Sequence, residues 1–429
     1  MNLPEAFVRQ MQGELGAQAP AFFSTYAEEG AAGLRVRRGT GWVPPADFLP
    51  VPWCPDGYYV PQGLRMGKEP LHAAGAYYLQ EPSAMAPVEA LGVQPGMRVL
   101  DLCAAPGGKS TQIANHLAGT GLLVANEIHP TRARILLENV ERMGVGNAVV
   151  CNETPARLAA QFGPWFDAVL VDAPCSGEGM FRRDPEAVEQ WSPEAPARCH
   201  ARQIEILESA ARCLRGGGTM VYSTCTFNRV ENEQTLEEFL RSHPEFSLDE
   251  TLRLPGIPYN GGMAHLYPHQ IRGEGHFLAR LRKAGEERAE LPELPTGGKE
   301  ERWTQFAAEA LREVPAWNLR AQGEWLYALP EGMPDVRGLK VLRAGLQLGK
   351  LAKGRLEPAH ALALFLHPEQ AKNAEALSRE DALRYLRGEV LPGAWKGWGL
   401  VTYEGCALGW GKGSGGQIKN HYPKGLRWN

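Results

Sequence analysis

The stretch LDLCAAPGGKST, residues 100–111, decides the fold of this chain. Its first residues end an apolar run that predicts a buried strand, its Ala-Pro-Gly-Gly segment predicts a tight turn, and its last residues begin a helical pattern. A strand that enters a helix through glycines is typical of parallel sheets that carry helices on both faces. The strand is therefore expected to belong to such a sheet.

Further strand and helix signals alternate along the following residues. A helix is predicted over 131–143, where apolar side chains recur at helical spacing, and another is predicted to stop at the glycines 216–218. The predicted strands are LLVANE (122–127), NAVVCN (147–152), AVLVD (168–172), TMVYST (219–224) and, as a closing edge strand, FLARLRK (277–283). This pattern predicts an α/β fold with a Rossmann-like, doubly wound parallel sheet.

Length and composition limit the possible classes of protein. At 429 residues the chain is too long for one core, so two or three domains are expected. The net charge of -4 means that RNA binding would need local basic patches. The sequence has no leader-like start, no apolar stretch approaching about eighteen residues, and no cysteine and histidine spacing typical of metal sites. We expect a cytoplasmic protein with no membrane contact and no metal.

Changes in composition predict the division into domains. Residues 1–80 are rich in prolines and aromatic residues and form a predicted N-terminal cap, whereas 81–284 hold the alternating strands and helices. The charged segment 285–301 contains prolines and glycines and is predicted to be a linker. Residues 302–429 contain seven of the eleven tryptophans, so they should form a core of their own. Short β-type runs separated by glycines predict a small β-barrel near 355–429.

The turn after the first strand has the features of a cofactor loop. Glycines let the backbone approach a ligand closely, and the start of the next helix supplies N–H donors. A phosphate loop would need a glycine five residues before Gly108, where Cys103 stands. Glu127 ends the next strand, about twenty residues after the glycines, and suits the hydroxyl groups of a ribose. A nucleoside cofactor is therefore favoured, with a turn that binds no ligand as the alternative.

Cys175 and Cys225 each follow a predicted strand. Because the carboxyl ends of parallel strands open into one crevice, Asp172, Cys175 and Cys225 should meet there. A carboxylate and two thiols beside a methyl donor suit methylation at C5 of a pyrimidine. A thiolate that adds to C6 makes C5 nucleophilic, a carboxylic acid can hold N3, and the second thiol can assist release.

This chemistry sets conditions on the neighbouring groups. A free thiol is mostly protonated near neutral pH, so Lys109 or a sulfonium would have to favour the thiolate. Asp172 would have to be protonated when the thiol adds, which a raised pKa in a closed pocket allows. The residues alone do not decide which cysteine is the nucleophile, and a buried structural thiol is the alternative for each.

Four ordered motifs resemble those of the NOL1/NOP2/sun family of RNA cytosine-5 methyltransferases. They are LDLCAAPGGKST (100–111), ANE (125–127) with TRARILLENVERMG (131–144), VDAPCSGEGMFRRDP (171–185) and STCTFNRVENE (223–233). The resemblance covers about residues 77–283. It implies a Rossmann-like methyltransferase core that uses S-adenosyl-L-methionine. It also implies that Cys225 is the nucleophile and that Cys175 helps to release the product.

The resemblance also implies which residues bind the cofactor. The loop 103–109 would hold the methionine part, Glu127 the ribose, and Asp172 would lie beside both cofactor and base. Arg132 stands where the family usually has an arginine. Asn152 departs from the family, which often has aspartate there, but its amide oxygen can still accept a hydrogen bond from adenine. The loop consists of Cys103, Ala104, Ala105, Pro106, Gly107, Gly108 and Lys109.

Three further segments resemble the RsmF/YebU type, a bacterial subgroup of that family. They are YYLQEPSAMAP (77–87), LYPHQIRGEGHF (266–277) and GWGKGSGGQIKNHYPKGLRW (409–428). The subgroup acts on small-subunit (16S) rRNA and ends in a PUA-like domain. The resemblance therefore implies small-subunit rRNA or the assembling small ribosomal subunit as the partner, and we expect a monomer. The alternatives are a tRNA cytosine-5 methyltransferase and a non-catalytic RNA-binding ribosome assembly factor.

Direct RNA contacts are predicted at two places. Apolar and cationic side chains in 180–183 could stack on a base and hold a phosphate at the mouth of the crevice, with solvated surface as the alternative. The tail interleaves charge and aromatic rings in Lys412, Lys419, His421, Tyr422, Lys424, Arg427 and Trp428, whereas Trp410 is predicted to lie in a core. His265, His269 and His276 are predicted to be structural rather than metal ligands.

Overall fold

The computed structural model describes residues 3–428 of the chain. Its N-terminal part contains three helices and a three-stranded antiparallel sheet in the order β2-β1-β3. The elements are α1 (Glu5–Leu15), α2 (Ala19–Ser24), β1 (Gly33–Val36), β2 (Gly57–Tyr59), α3 (Pro70–Ala73) and β3 (Tyr77–Leu79). The rings of Phe7 and Phe22 pack on Phe181 and Phe227 at 5.0 and 5.3 Å. The helices thus cover the segments that follow the two cysteines.

A mixed sheet with helices on both faces forms the middle of the chain. Its elements are α4 (Ala86–Leu91), β4 (Arg98–Asp101), α5 (Gly108–Leu117), β5 (Leu122–Asn126), α6 (Pro130–Arg142), β6 (Ala148–Cys151), α7 (Pro155–Phe162), β7 (Phe166–Asp172), α8 (Pro185–Gln190), α9 (Ala195–Cys213), β8 (Leu214–Thr224), α10 (Thr235–Ser242), β9 (Phe246–Leu248), β10 (Met263–Leu266) and β11 (His276–Lys283). Five strands run parallel in the order β8-β7-β4-β5-β6, and β11 pairs antiparallel with β8. The predicted α/β, Rossmann-like fold is confirmed.

Two details of this sheet differ from the expected pattern. Strand β11 does not close the sheet, because β10 pairs with its far side. The glycines 216–218 do not stop a helix: α9 ends at Cys213, and the glycines lie inside β8. Their lack of a side chain has a packing reason, since a Cβ on Gly216 would collide with the backbone of Gly285.

The central strands are buried on both faces, as their continuous apolar runs predict. Neighbouring residues of a strand point to opposite sides, so Val99 belongs to one core and Leu100 to the other. The pairing of β7 with β8 sets Asp172 opposite Ser223. The chain segments that carry Cys175 and Cys225 therefore leave the sheet side by side.

The C-terminal part contains two further sheets. Its elements are α11 (Glu301–Ala310), β12 (Asn318–Gln322), β13 (Trp325–Leu329), β14 (Val341–Ala344), β15 (Leu346–Ala352), β16 (Arg355–Pro358), α12 (His360–Phe365), β17 (Ala374–Ala376), α13 (Arg379–Leu386), β18 (Leu391–Pro392), β19 (Gly397–Tyr403), β20 (Cys406–Ser414) and β21 (Gln417–Asn420). One sheet has the order β12-β13-β15-β16, and the last has the order β17-β19-β20-β21-β18. Trp303 and Trp410 are buried between them.

One strand from beyond the predicted linker lies in the central sheet. Strand β14 pairs antiparallel with β6 and forms the edge of that sheet. The linker segment 285–301 itself packs on the same domain, because Ala289 N–H donates to Pro164 O at 2.9 Å and Leu294 is buried in its core. The C-terminal part is thus joined to the central sheet by pairing as well as by the chain.

Candidate active site

The loop after β4 is shaped by its glycines and held by α6. Gly107 has a φ of +114° and precedes the first residue of α5, and a Cβ there would lie 3.2 Å from Leu136. A side chain at this position would therefore be strained and crowded. From α6, Arg132 donates to Ala105 O and Asn139 donates to Pro106 O, both at 2.9 Å. Arg132 thus supports the loop that was predicted to hold the cofactor.

The ends of β5 and β6 offer groups suited to a nucleoside. Glu127 is 4% exposed, and its Oε1 accepts a hydrogen bond from the N–H of His129 at 2.8 Å. The amide nitrogen of Asn152 donates to the carbonyls of Glu127 and Ile128, each at 2.8 Å. The side chain of Ile128, in contrast, is 59% exposed beside them. A carboxylate, an amide and an exposed apolar side chain at one crevice fit a ribose and a purine ring.

The two predicted thiols meet at the ends of β7 and β8. The Sγ atoms of Cys175 and Cys225 are 3.3 Å apart, within hydrogen-bond reach for sulfur. The hydrogen bond with Cys225 and burial both raise the pKa of Cys175 well above that of a free thiol. Cys175 therefore keeps its proton at neutral pH.

Asp172 lies at the centre of a small polar network. Its Oδ2 accepts from Lys109 Nζ at 2.7 Å, and its Oδ1 accepts from Ser223 Oγ at 2.8 Å. The Nε2 of His276, which is 4% exposed, lies 3.4 Å from the same Oδ1. The charge of Asp172 in turn contributes to raising the pKa of Lys109, against the effect of burial.

The pKa of Asp172 is lowered in this structure, whereas protonation of Asp172 as the thiol adds would need it to be raised. Burial alone would raise it, but the Lys109 charge and the hydrogen bond from His276 outweigh burial and hold the pKa well below its usual range. Asp172 is therefore a carboxylate. The sequence indicated that Lys109 would lie near a thiol, but not that its ammonium would pair with Asp172.

Buried groups that the sequence reasoning missed support the two cysteine segments. Glu231 accepts from the N–H of Ser176 at 2.9 Å and from Gln203 Nε2 at 3.1 Å, which fixes the backbone after Cys175. Gly179 donates its N–H to Cys225 O at 2.8 Å, and a Cβ there would lie 2.9 Å from that oxygen. The glutamate in VENE and the glycines after Cys175 were the available signals, because both lie inside the quoted motifs.

The predicted RNA contacts within 180–183 are wrong for two residues. Phe181 is fully buried, with its ring 5.0 Å from that of Phe7. Arg182 forms a buried ion pair with Glu274 at 2.7 Å and donates to Thr25 O at 3.0 Å. These side chains attach the N-terminal helices to the central domain, so they are not free to hold a base or a phosphate.

Not all residues of the RNA-binding surface predicted in the tail lie on the surface of the structure. Trp410 is 1% exposed, which confirms its expected place in a core, but Tyr422 is also buried and does not belong to a surface. Lys412 lies over the ring of Trp398 at 4.9 Å. Within residues 3–428, no group of three or more His, Cys, Asp or Glu side chains is placed to hold a metal ion, and no helix has the length and hydropathy needed to span a membrane.

Known protein families match the chain in four consecutive segments. Residues 88–282 match the family described as 16S rRNA methyltransferase RsmB/F. Residues 3–82 match the N-terminal domain of 16S rRNA methyltransferase RsmF, residues 305–366 match the RsmF rRNA methyltransferase first C-terminal domain, and residues 372–428 match the methyltransferase RsmF PUA domain.

Curated relatives are similar over nearly the whole chain. A ribosomal RNA small subunit methyltransferase F from Klebsiella pneumoniae is 34% identical, and the alignment covers 99% of this chain and 96% of the relative. The protein of the same name from Escherichia coli O157:H7 is also 34% identical, over 92% of this chain and 87% of its own length.

Solved structures share the fold. A methyltransferase homolog protein from Pyrococcus horikoshii is 26% identical, with a TM-score of 0.54 over 62% of this chain and 91% of that one. The structure of NSun6 from the same organism with SFG has a TM-score of 0.59 at 20% identity, over 66% of this chain and 99% of that one. The second likeness concerns the fold alone.

Proposed function

Because this chain belongs to the 16S rRNA methyltransferase RsmB/F family, we propose that it methylates C5 of cytosine in small-subunit rRNA, with S-adenosyl-L-methionine as the methyl donor. Family membership also confirms the resemblance of its motifs. The observation that carries the chemistry is the pair of thiols, 3.3 Å apart, at the strand ends beside Asp172. Attack at C6 and the later release of the enzyme each need a group at this place, and the two thiols can supply both.

Cys225 is the nucleophile in this proposal. The motif STCTFNRVENE, which resembles that of the family, supports this assignment, and the hydrogen bond with Cys225 and burial raise the pKa of Cys175, which suits Cys175 to the role of a proton donor. The interaction with Cys225 contributes to raising the pKa of Lys109, after the charge of Asp172 and the hydrogen bond with it, so Lys109 and Cys225 are near enough to act on each other. The sulfur of Cys225 forms a bond to C6, and the electrons of the C5–C6 double bond then make C5 nucleophilic. When bound, S-adenosyl-L-methionine supplies an electrophilic methyl group on a sulfonium.

Asp172 and Lys109 neutralise the negative charge that develops at N3 of the base. Asp172 is a carboxylate that accepts a hydrogen bond from Lys109 Nζ at 2.7 Å. A proton can therefore pass from Lys109 to Asp172 and on to N3 as Cys225 adds to C6, without a carboxylic acid in the resting enzyme. His276 and Ser223 hold the second carboxylate oxygen and keep the first one directed at Lys109.

Cys175 assists the last step. After methyl transfer, C5 carries both a hydrogen and the new methyl group. The hydrogen leaves as a proton to water, its electrons restore the C5–C6 double bond, and the C6–sulfur bond breaks. The S–H of Cys175 donates to the departing sulfur of Cys225 across the observed 3.3 Å, which stabilises the thiolate that leaves.

The rest of the chain serves RNA binding in this proposal. We infer a cap over 1–80, a catalytic domain over 81–284, and an RNA-binding region over 302–429 with the PUA-like domain near 355–429. The matched segments 3–82 and 88–282 support the first two bounds. The match to the PUA domain begins only at residue 372, and the strand Arg355–Pro358 pairs within the preceding sheet. Small-subunit rRNA, free or in the assembling subunit, is the inferred partner. A monomer in the cytoplasm remains our prediction.

A covalent adduct on a denaturing gel tests the proposed reaction. With small-subunit rRNA and S-adenosyl-L-methionine, Cys175→Ala should accumulate a protein–RNA adduct that is absent from the Cys175→Ala, Cys225→Ala double variant. Cys406→Ala is the matched control, because this buried thiol lies in the last sheet, far from the crevice, and should turn over normally.

Other outcomes distinguish the alternatives. An adduct that persists without Cys225 would contradict the assignment of the nucleophile. Methyl transfer from labelled cofactor to tRNA rather than to small-subunit rRNA would identify a tRNA enzyme. Binding of rRNA with no methyl transfer to free rRNA or to the assembling subunit would identify an assembly factor. Nucleoside mass spectrometry of the product should give 5-methylcytidine.

A further inference from the structure

Lys340 is attached to the cofactor end of the central sheet by three hydrogen bonds. Its N–H donates to Glu153 Oε1 at 2.7 Å, and its carbonyl accepts from the N–H of Asn152 at 2.9 Å. Its Nζ donates to the side-chain oxygen of Asn152 at 2.6 Å. A residue 188 positions further along the chain is thus directed at the amide predicted to face adenine.

The segment around Lys340 is held firmly in this position. Strand β14 follows it directly and pairs with β6. Gln161 Nε2 donates to Asp335 O at 2.7 Å, and Gly345 N–H donates to Ala148 O at 2.9 Å. Contacts before and after Lys340 therefore fix its backbone, and the exposed lysine side chain reaches the Asn152 oxygen from this fixed position.

We propose that Lys340 and Asn152 together form the subsite for the adenine edge of the cofactor, so that the C-terminal part of the chain completes the cofactor site. This inference rests on the proposed function. The amide nitrogen of Asn152 is engaged by the carbonyls of Glu127 and Ile128, which leaves its oxygen as the acceptor. Lys340 Nζ lies beside that oxygen and offers donors only.

An acceptor beside a donor matches the edge of adenine. The 6-amino group of adenine donates and the neighbouring N1 accepts, so the amino group suits the Asn152 oxygen and N1 suits Lys340. In hypoxanthine the two roles are reversed, because position 6 is a carbonyl and N1 carries a proton. The pair should therefore select adenine, and Lys340 supplies the half of the recognition that an amide alone lacks.

Equilibrium binding tests this inference without any methyl transfer. S-adenosylhomocysteine and its inosine counterpart are titrated into the full-length protein by calorimetry. We expect the wild type to prefer the adenine ligand, and Lys340→Met to bind it about tenfold more weakly, the effect of one lost hydrogen bond to a charged donor. The variant should also lose most of its preference over the inosine ligand.

Two comparisons keep the test decisive. Arg337→Met removes a cation from the same segment, but Arg337 is exposed and pairs only with Asp335, so it should bind both ligands like the wild type. Equal affinity of Lys340→Met and wild type would overturn the inference, as would equal weakening in both variants with a fall in melting temperature. If the wild type bound neither ligand, the proposed function itself would fail instead.

Discussion

The central sheet has two regions whose residues come from different parts of the chain. At the crevice formed by β7 and β8, the groups proposed to react come from residues close to their own strands: Asp172, Cys175 and Cys225. At the edge formed by β6 and β14, Asn152 meets Lys340 from the far half of the chain. The first arrangement is local to each strand and linked by parallel pairing, whereas the second depends on a distant segment returning to the sheet.

Because of this difference, substitutions in the two regions should affect different properties of the protein. Changes at the crevice should alter catalysis while the fold survives, because the groups there lie at strand ends and not within the cores. Changes at the β6–β14 edge should alter stability and cofactor affinity, because that edge joins two parts of the chain. The predictions below test this separation, beginning with the largest expected effect.

Asp172→Asn should lower the rate of methyl transfer by about 10³-fold, the usual size of a lost acid–base group. The amide keeps the shape of the carboxylate but can neither relay a proton nor balance the charge of Lys109. Single-turnover transfer of labelled methyl to rRNA measures the effect. Lys109→Met should produce a similar loss, and the double variant should add little to it, because the two residues act as a unit.

Ser223→Ala is the matched control for this prediction. It removes one hydrogen bond to Asp172, at 2.8 Å, and leaves the Lys109 contact in place. Its rate should therefore fall by no more than about tenfold. A loss as large as that of Asp172→Asn would mean that orientation, and not proton transfer, is the main contribution of the aspartate.

Arg343→Ala should destabilise the protein by about 2–4 kcal/mol through the β6–β14 edge. Arg343 is 2% exposed, and its guanidinium donates to Gly345 O at 2.6 Å and to Val145 O at 2.5 Å. Removal leaves two buried carbonyls without a donor. Urea unfolding gives the free energy, and hydrogen exchange should show lost protection in β6 and β14.

The hydrogen-exchange pattern of Arg343→Ala shows whether the β6–β14 edge opens separately from the rest of the sheet. Protection in β7 and β8 should stay near that of the wild type if the edge opens by itself. Loss of protection throughout the sheet would show that the C-terminal part and the catalytic domain unfold as one unit, and the proposed separation of the two regions would then be wrong.

Glu178→Gln should remove a pH dependence of stability. Glu178 is fully buried beside the Cys225 segment, accepts from the N–H of Phe227 at 3.1 Å, and has its pKa raised to about 7 by burial and by the charge of Glu231. The folded protein keeps this proton up to about pH 7, whereas the unfolded chain releases it near pH 4.3. Its stabilising contribution is therefore present below pH 4.3 and is lost as the pH rises through 7.

Unfolding experiments at several pH values measure this effect. The variant should gain about 1–3 kcal/mol relative to wild type between pH 4.5 and 7.5, since glutamine has no proton to lose. Glu189→Gln, at an exposed position of α8, should follow the wild type over the same range. A constant difference between Glu178→Gln and wild type would mean that the carboxyl does not titrate in that interval.

The sequence could predict the crevice because the residues suited to the chemistry stand directly after predicted strands. Parallel strands bring Asp172 and Cys175 beside Cys225, and a short apolar run before each is visible in the sequence. Phe181 and Arg182 were misjudged because their partners, Phe7 and Glu274, are far away in the chain, and nothing local marks a residue as covered. The lowered pKa of Asp172 could not be predicted from the sequence, because it depends on the distance to Lys109, which no sequence pattern encodes.

The pairing of β6 with β14 could not be predicted from the sequence, because these strands are also distant in the chain. A short strand that pairs antiparallel with a distant edge needs no motif, only a compatible backbone, and β14 has just four residues. The predicted linker at 285–301 looked like a boundary because charge, proline and glycine are typical of loops. Its packing on the catalytic domain comes from scattered side chains such as Leu294, which composition alone does not distinguish.

Ile128→Ser should have the smallest effect and should reach cofactor affinity alone. The side chain is 59% exposed next to Glu127, so its loss removes little packing from the protein without ligand. If the adenine ring covers it, the variant should bind S-adenosylhomocysteine about threefold to tenfold more weakly, which corresponds to about 1 kcal/mol of apolar burial. Ile135→Ser, 42% exposed on α6, provides the control and should bind normally. Equal binding by both variants would mean that the adenine ring does not cover Ile128.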